Sequence, residues 1–153
     1  LYKEEVQVDE LISTSATTLA RRIRVRELSS GEVVQAYLQQ IARVNPGLNA
    51  MVQLVADEAL DRARAADAAL RQGQRIGALH GVPFTVKDWI DAAGLPSTGG
   101  DPRFRDRRPS RDATVVARMR QAGAILLGKT NVMIENPVYG RTNNPYNVAY
   151  SPT

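Results

Sequence analysis

The sequence predicts an α/β fold, a mixed or parallel sheet covered by helices, and three observations carry that prediction. Ala124-Ile125-Leu126-Leu127-Gly128 is a continuous apolar run, the pattern of a strand covered on both faces. Val82–Val86 is a second short apolar run, leading directly into Lys87. Between them, Asp112 reads as the N-cap of a helix over Ala113–Ala122, with Val116 and Met119 on its half-buried side and Gly123 as the C′ residue. Strand, helical crossover and strand in this order default to a right-handed βαβ unit with parallel strands.

The remaining elements follow in chain order. Residues 1–12 are mixed and carry no pattern. Leu19 and Ile23, set among arginines, give Ser15–Val25 the spacing of a short amphipathic helix. Ser29-Ser30-Gly31-Glu32 is an S-x-x-E capping box, pairing an N-cap hydroxyl with a carboxylate three residues on. Val34, Tyr37, Leu38, Ile41 and Val44 then form one apolar stripe, and Asn45-Pro46-Gly47 is expected to stop the helix. Asn49–Val55 reads as a strand or an extended link. An alanine-rich helix begins at Ala56, with Ala59, Leu60, Ala63, Ala66 and Leu70 on one face and Gly73 as its stop. The two long helices are expected to pack on the sheet. Pro83 lacks an N–H for a ladder, so it belongs at a strand start or on an edge. Residues 88–101 read as loop. From Asn131 onward the chain is turn-rich, with Asn136-Pro137 and Asn143-Asn144-Pro145.

At 153 residues the chain is long enough for one domain with a core. Hydrophobic residues make up 43% and charged residues 24%, the balance of a globular protein. No apolar run approaches the ~18 residues of a membrane span. With no cysteine, disulfides, thiol catalysis and thiolate metal sites are excluded together. The lone histidine, His80, leaves no cluster for zinc, and such a residue most often bonds a backbone carbonyl. The net charge of +4 invites a nucleic-acid reading, centred on Arg103, Arg105, Arg107, Arg108 and Arg111. Interleaved acids and prolines make that stretch a solvated loop instead, and aromatics at 5% leave few stacking platforms.

Candidate chemistry concentrates on Lys87. Only Lys3, Lys87 and Lys129 are lysine, among twenty basic residues. Arginine cannot release its proton at accessible pH, whereas a desolvated lysine can. At the end of a buried strand Lys87 is therefore either a general base or an ordinary snorkelling side chain. Burial behind Val82–Val86 can supply the desolvation a base would need. Asp88 would oppose it if close, although its side chain should point to the other face of an extended segment. Ser97-Thr98-Gly99-Gly100 could cradle an anion but reads as a surface turn. Asp88 and Asp91 lack a third ligand and imply no metal.

The motifs together are more specific than any one of them. L-H-G-V-P-F-T-V-K-D at 79–88, D-A-T-V-V-A-R-M-R-Q-A-G-A-I-L-L-G-K-T-N at 112–131, G-R-T-N-N-P-Y-N at 140–147 and S-P at 151–152 occur in order. This series resembles the N-terminal part of the amidase signature family, serine hydrolases that cleave carboxamides, over roughly residues 28–153. Its N-P-V-Y-G-R-T-N-N-P-Y-N wording resembles the branch with fatty acid amide hydrolase and related bacterial amidases more closely than the tRNA-linked amidotransferase subunit.

The resemblance implies the N-terminal portion of the amidase signature fold, and hence a single incomplete domain over 1–153. It implies a Ser–cisSer–Lys triad whose lysine is Lys87, working as a neutral amine through a bridging serine to activate a second, nucleophilic serine. Both serines lie beyond Thr153; Ser151 matches a non-catalytic position, and Thr153 stands where many members have glycine. Met133 and Tyr139 fall in the segment that lines the family's substrate pocket. No cofactor and no metal are implied. The implied partners are a small-molecule amide and the C-terminal remainder of the enzyme, with no nucleic acid and no membrane span; homodimerisation and a cytoplasmic location are compatible with it. Two alternatives stay open: a stand-alone, non-catalytic binding domain, and a fragment of an amidotransferase subunit. An activated base without a nucleophile cannot form an acyl intermediate, so the isolated chain is expected not to hydrolyse amides. Turnover that disappears in Lys87→Ala would overturn this.

Overall fold

The computed structural model describes residues 9–152. Among the described residues the helices include α1 (Ala16–Arg24), α2 (Ser30–Leu48), α3 (Ala56–Arg71) and α4 (Thr114–Gln121), and residues 9–13 are also helical although the sequence carries no pattern there. The strands are β1 (Met51–Leu54), β2 (Pro83–Lys87) and β3 (Ile125–Thr130), with the two-residue β4 (Glu135–Asn136) and β5 (Gly140–Arg141). The strand order is β1-β3-β2. β1 runs antiparallel to β3, with Gln53 opposite Lys129 and Leu54 opposite Gly128. Beside β3 on its other side, Ile125 N–H donates to Val82 O and Asp88 N–H to Thr130 O, so residue numbers rise together and β2 is parallel to β3. The sheet is mixed, as expected.

Two compact units divide the chain. The first comprises the described residues up to Ala42, Val55–Phe84 and Arg118–Leu127. Ser15 caps α1 by accepting from Thr18 N–H, and Leu19, Ala20 and Ile23 turn inward. The capping box of α2 forms reciprocally: Glu32 N–H donates to Ser29 Oγ at 3.0 Å, and Ser29 N–H donates to Glu32 Oε2 at 2.8 Å. Such a cap is worth about 1 kcal/mol. Two apolar clusters follow from the helical stripes. Leu19, Ile23, Leu28, Val33 and Val82 make one; Val34, Ala59, Ala63, Ile125 and Leu127 make the other, so α2 and α3 pack on β3. His80 pairs through Nε2 with Ala66 O at 3.1 Å, the structural use expected of it.

The second unit comprises Arg43–Leu54, Thr85–Ala117 and, from Gly128, the described residues to 152. Here two helix expectations are corrected. α2 does not stop at Asn45-Pro46-Gly47 but runs through Pro46 to Leu48. In the last turn a proline forfeits one backbone bond without breaking the helix. The reversal falls instead on Asn49, at φ +50°, whose N–H donates to Asn45 O at 2.8 Å. Asn45 then clamps the start of β1, its Oδ1 accepting from Met51 N–H and its Nδ2 donating to Met51 O. At α4 the first helical residue is Thr114, and Ala113 O accepts from Ala117 N–H; the Asp112 carboxylate accepts from Ala93 N–H.

β3 is buried from Ile125 through Lys129, whereas in β2 only Val86 is buried. Gly128 permits the close approach of β1: a Cβ there would lie 2.0 Å from Gln53 O, at φ +153°. Gly128→Ala must therefore shift backbone. It is expected to destabilise the chain by roughly 2–3 kcal/mol, measured as a lower urea midpoint; an unchanged midpoint would show that β1 is not held in this register.

Candidate functional site

The site is assembled in the second unit around the ends of β2 and β3. Lys87 closes β2, and its side chain is exposed. This corrects the expectation that burial behind Val82–Val86 desolvates it, because the alternation of the strand turns Val86 inward and Lys87 outward. Lys87 Nζ donates to Asn131 O at 3.3 Å. That carbonyl is held firmly. Asn131 N–H donates to Ala50 O at 2.8 Å, its Nδ2 to Gly140 O at 3.1 Å, and its Oδ1 accepts from Asn136 Nδ2 at 2.6 Å. Asn49 Nδ2 ties the same region together by donating to Tyr139 O and Arg141 O.

Lys129 is the buried lysine. It is 0% exposed, as is Asp88. Lys129 Nζ donates to Asp88 O at 3.0 Å, Pro96 O at 2.7 Å and Ser97 Oγ at 2.5 Å, and lies 3.6 Å from Asp88 Oδ1. Burial pushes the ammonium below the ordinary lysine value, and the Asp88 carboxylate opposes that shift. Three acceptors match three N–H bonds, which is the requirement of the charged form. Asp88 is equally well satisfied: it accepts from Gln53 Nε2 at 2.7 Å, from Thr98 N–H at 3.1 Å and from Thr98 Oγ1. Gln53 Nε2 also donates to Tyr139 OH at 2.9 Å.

Ser97 and Thr98 are thus buried members of this network, 5% and 2% exposed, rather than the surface turn that Ser97–Gly100 suggested. Their hydroxyls are drawn inward because Asp88 and Lys129 need partners in a dry interior. A shallow cleft of about 390 Å³ lies over them, lined also by Trp89, Phe104 and Arg107. Of the two candidate pocket residues, Met133 is exposed, with its side chain against Gly100. Tyr139 is half-buried, and burial raises its phenol above the ordinary value. Among the described residues no group of three His, Cys, Asp or Glu side chains could hold a metal ion.

The arginine-rich loop is tied to its own acids and carbonyls. Arg107 binds Asp91 through two parallel bonds of 2.6 and 2.8 Å, Arg103 pairs with Asp101, and Arg108 donates to Gly94 O. No helix of the described residues is long and apolar enough to cross a membrane.

Lys129, Asp88, Gln53 and Asn131 were not singled out as site residues by the sequence. One signal was available: Lys129 directly continues the apolar run 124–128, the pattern of a strand covered on both faces.

Residues 32–153 match the family described as Amidase, and the chain belongs to that family. It is 41% identical over 152 residues to a glutamyl-tRNA(Gln) amidotransferase subunit from Acidothermus cellulolyticus, covering 95% of this chain and 30% of that protein. It is 44% identical over 121 residues to the putative amidase AmiD of Mycobacterium tuberculosis (strain ATCC 25618 / H37Rv), covering 79% of this chain and 26% of the relative. Among solved structures, native peptide amidase from Stenotrophomonas maltophilia superposes with a TM-score of 0.83 at 37% identity, over 92% of this chain and 31% of that one. Fatty acid amide hydrolase superposes with a TM-score of 0.87 at 26% identity, over 92% of this chain and 26% of that one. The chain therefore spans about 30% of the length of the relatives it matches.

Arg107 holds the Asp91 carboxyl below its usual range by hydrogen bonding and charge. Because the folded-state value is lowered, the pair stabilises above the ordinary carboxylate range near about pH 4 and its contribution is lost as pH falls through the lowered value. Both side chains are partly exposed, at 30% and 46%, so Asp91→Asn is expected to cost no more than about 1 kcal/mol at pH 7, and progressively less below pH 4. Urea titrations across pH 2–7 read this difference. A penalty independent of pH would mean that charge is not what the pair contributes.

Proposed function

We propose that this chain is the lysine-bearing N-terminal segment of a carboxamide hydrolase, with Lys87 as the general base of a Ser–cisSer–Lys triad. The observation that supports this reading most directly is the environment of Lys87 Nζ. Among the described residues it is anchored by one backbone carbonyl, Asn131 O, at the open end of a strand, so that in the neutral amine the nitrogen lone pair is left for a proton donor. In the proposed reaction the neutral amine takes a proton through the bridging serine. The second serine attacks the amide carbonyl, the amine or ammonia departs, and water releases the acyl group. Both serines belong to the remainder of the polypeptide. The small-molecule amide is lined in part by Met133, whose exposed side chain leaves it free for contact, and by the ring of Tyr139. The protein acts in the cytoplasm without cofactor or metal.

A second reading, a glutamine-hydrolysing amidotransferase subunit, is favoured by the 41% identity over 95% of the chain to such a protein. Glutamine as the preferred ammonia source, over simple amides, distinguishes it.

The test is Lys87→Ala and Lys87→Arg in the complete polypeptide. Removing a general base of this kind is expected to lower kcat by about 10²–10⁴ with KM little changed. Arginine should not rescue, because it keeps a charge but cannot accept the proton. Activity within a few-fold of the unsubstituted enzyme would remove Lys87 from the mechanism.

A further inference from the structure

We infer that Lys129 is a positioning residue for Lys87: it neutralises the Asp88 carboxylate and holds it on the covered face of the sheet, so that Asp88 does not act as a counter-ion for the Lys87 ammonium. This rests on the reading of Lys87 as the base.

A carboxylate adjacent in sequence to a lysine that must work neutral is a liability. An opposite charge within about 4–6 Å favours the protonated ammonium by one to three pH units. Two features of the fold remove it. The first is direction. Lys87 is exposed and Asp88 is 0% exposed, so consecutive side chains point to opposite faces of the strand. The second is charge. On the covered face Asp88 meets Lys129 of the adjacent parallel strand, 3.6 Å from Oδ1, and the same ammonium donates at 3.0 Å to the Asp88 main-chain oxygen. The pair is neutral as a unit.

The other groups around it do not disturb that balance. Gln53 from β1 and Thr98 and Ser97 from the covering loop are uncharged hydrogen-bond partners. Tyr139 is kept in its neutral form by burial, with Arg105 at longer range. Asp91 and Arg107, which both act on Lys129, offset each other in their own pair. On the open side Lys87 meets the uncharged Asn131.

The arrangement also positions. Lys129 fastens the peptide that follows Lys87 and the loop at Pro96-Ser97 to β3, while Asn131, just past the end of the same strand, fixes Nζ. One strand end therefore controls both the charge behind the base and the carbonyl in front of it.

The test is direct titration of Lys87 by its Nζ NMR resonance in the complete polypeptide with labelled lysine, the resonance being assigned by its absence from Lys87→Arg. Lys129→Met leaves Asp88 uncompensated, so Lys87 should titrate measurably higher than in the unsubstituted protein. Asp88→Asn leaves the Lys129 charge uncompensated, so Lys87 should titrate measurably lower. The double variant Asp88→Asn/Lys129→Met should return to the unsubstituted position. Opposite displacements that cancel are the signature of charge balance, and a purely structural clamp would not produce them. If Lys129→Met does not fold, Asp88→Asn against the double variant decides: Lys87 must titrate lower in the single. Identical titration in all folded variants overturns the inference. The readout needs no turnover, so this result is independent of the Lys87→Ala kinetics, which alone decide whether Lys87 is the base.

Discussion

A charged lysine in the interior is the constraint on which the second unit depends. Moving an ammonium and a carboxylate out of water costs several kcal/mol per ion, and Coulomb attraction alone does not reliably repay it. Lys129 and Asp88 meet that penalty by saturating their hydrogen bonds. The partners come from β1 at Gln53, from the end of β2, from the loop at Pro96–Thr98 and from β3 itself; Tyr139 joins through Gln53. Segments far apart in sequence are thereby required to be present together. A pair of this kind adds little net stability compared with an apolar filling of the same volume, but it is exacting about geometry. Its value here is that it specifies where the end of β2 lies.

Asparagine performs the complementary task on the open side. Asn45, Asn49, Asn131 and Asn136 use both ends of their amides, or a strained backbone, to tie α2, β1 and the β4–β5 hairpin into one frame. The short side chain of asparagine can bond nearby backbone and tolerates positive φ, which is what Asn49 needs at the end of α2. These contacts replace regular pairing in a region whose strands are only two residues long. The residue whose carbonyl receives Lys87 Nζ is held by three of them.

The two strand lysines are thus alike in sequence and opposite in environment. Lys129 is enclosed and saturated, whereas Lys87 is exposed and holds one acceptor among the described residues. The difference lies in what encloses each: the loop at Pro96-Ser97 closes over Lys129, and nothing comparable is seen over Lys87 among the described residues.

The sequence by itself determined the elements whose causes are local. Capping at Ser29–Glu32, the inward stripe of α2 and α3, the doubly covered strand at Ile125–Leu127 and the strand ending at Lys87 follow from patterns within a few residues. The ordered motifs were enough to indicate the family. Burial of individual polar groups was not legible there. Whether Lys87 or Lys129 is desolvated depends on which face the loop at 96–98 covers, and that is decided by segments dozens of residues away. The same holds for Asp88, legible only as a neighbour of Lys87 and as a carboxylate three residues from Asp91, and for Gln53, one residue of a short apolar run. The persistence of α2 through Pro46 had the same origin, since Asn45 and Asn49 find their partners at Met51, Tyr139 and Arg141. Periodicity encodes the direction in which a side chain points, but only the assembled chain decides what it meets there.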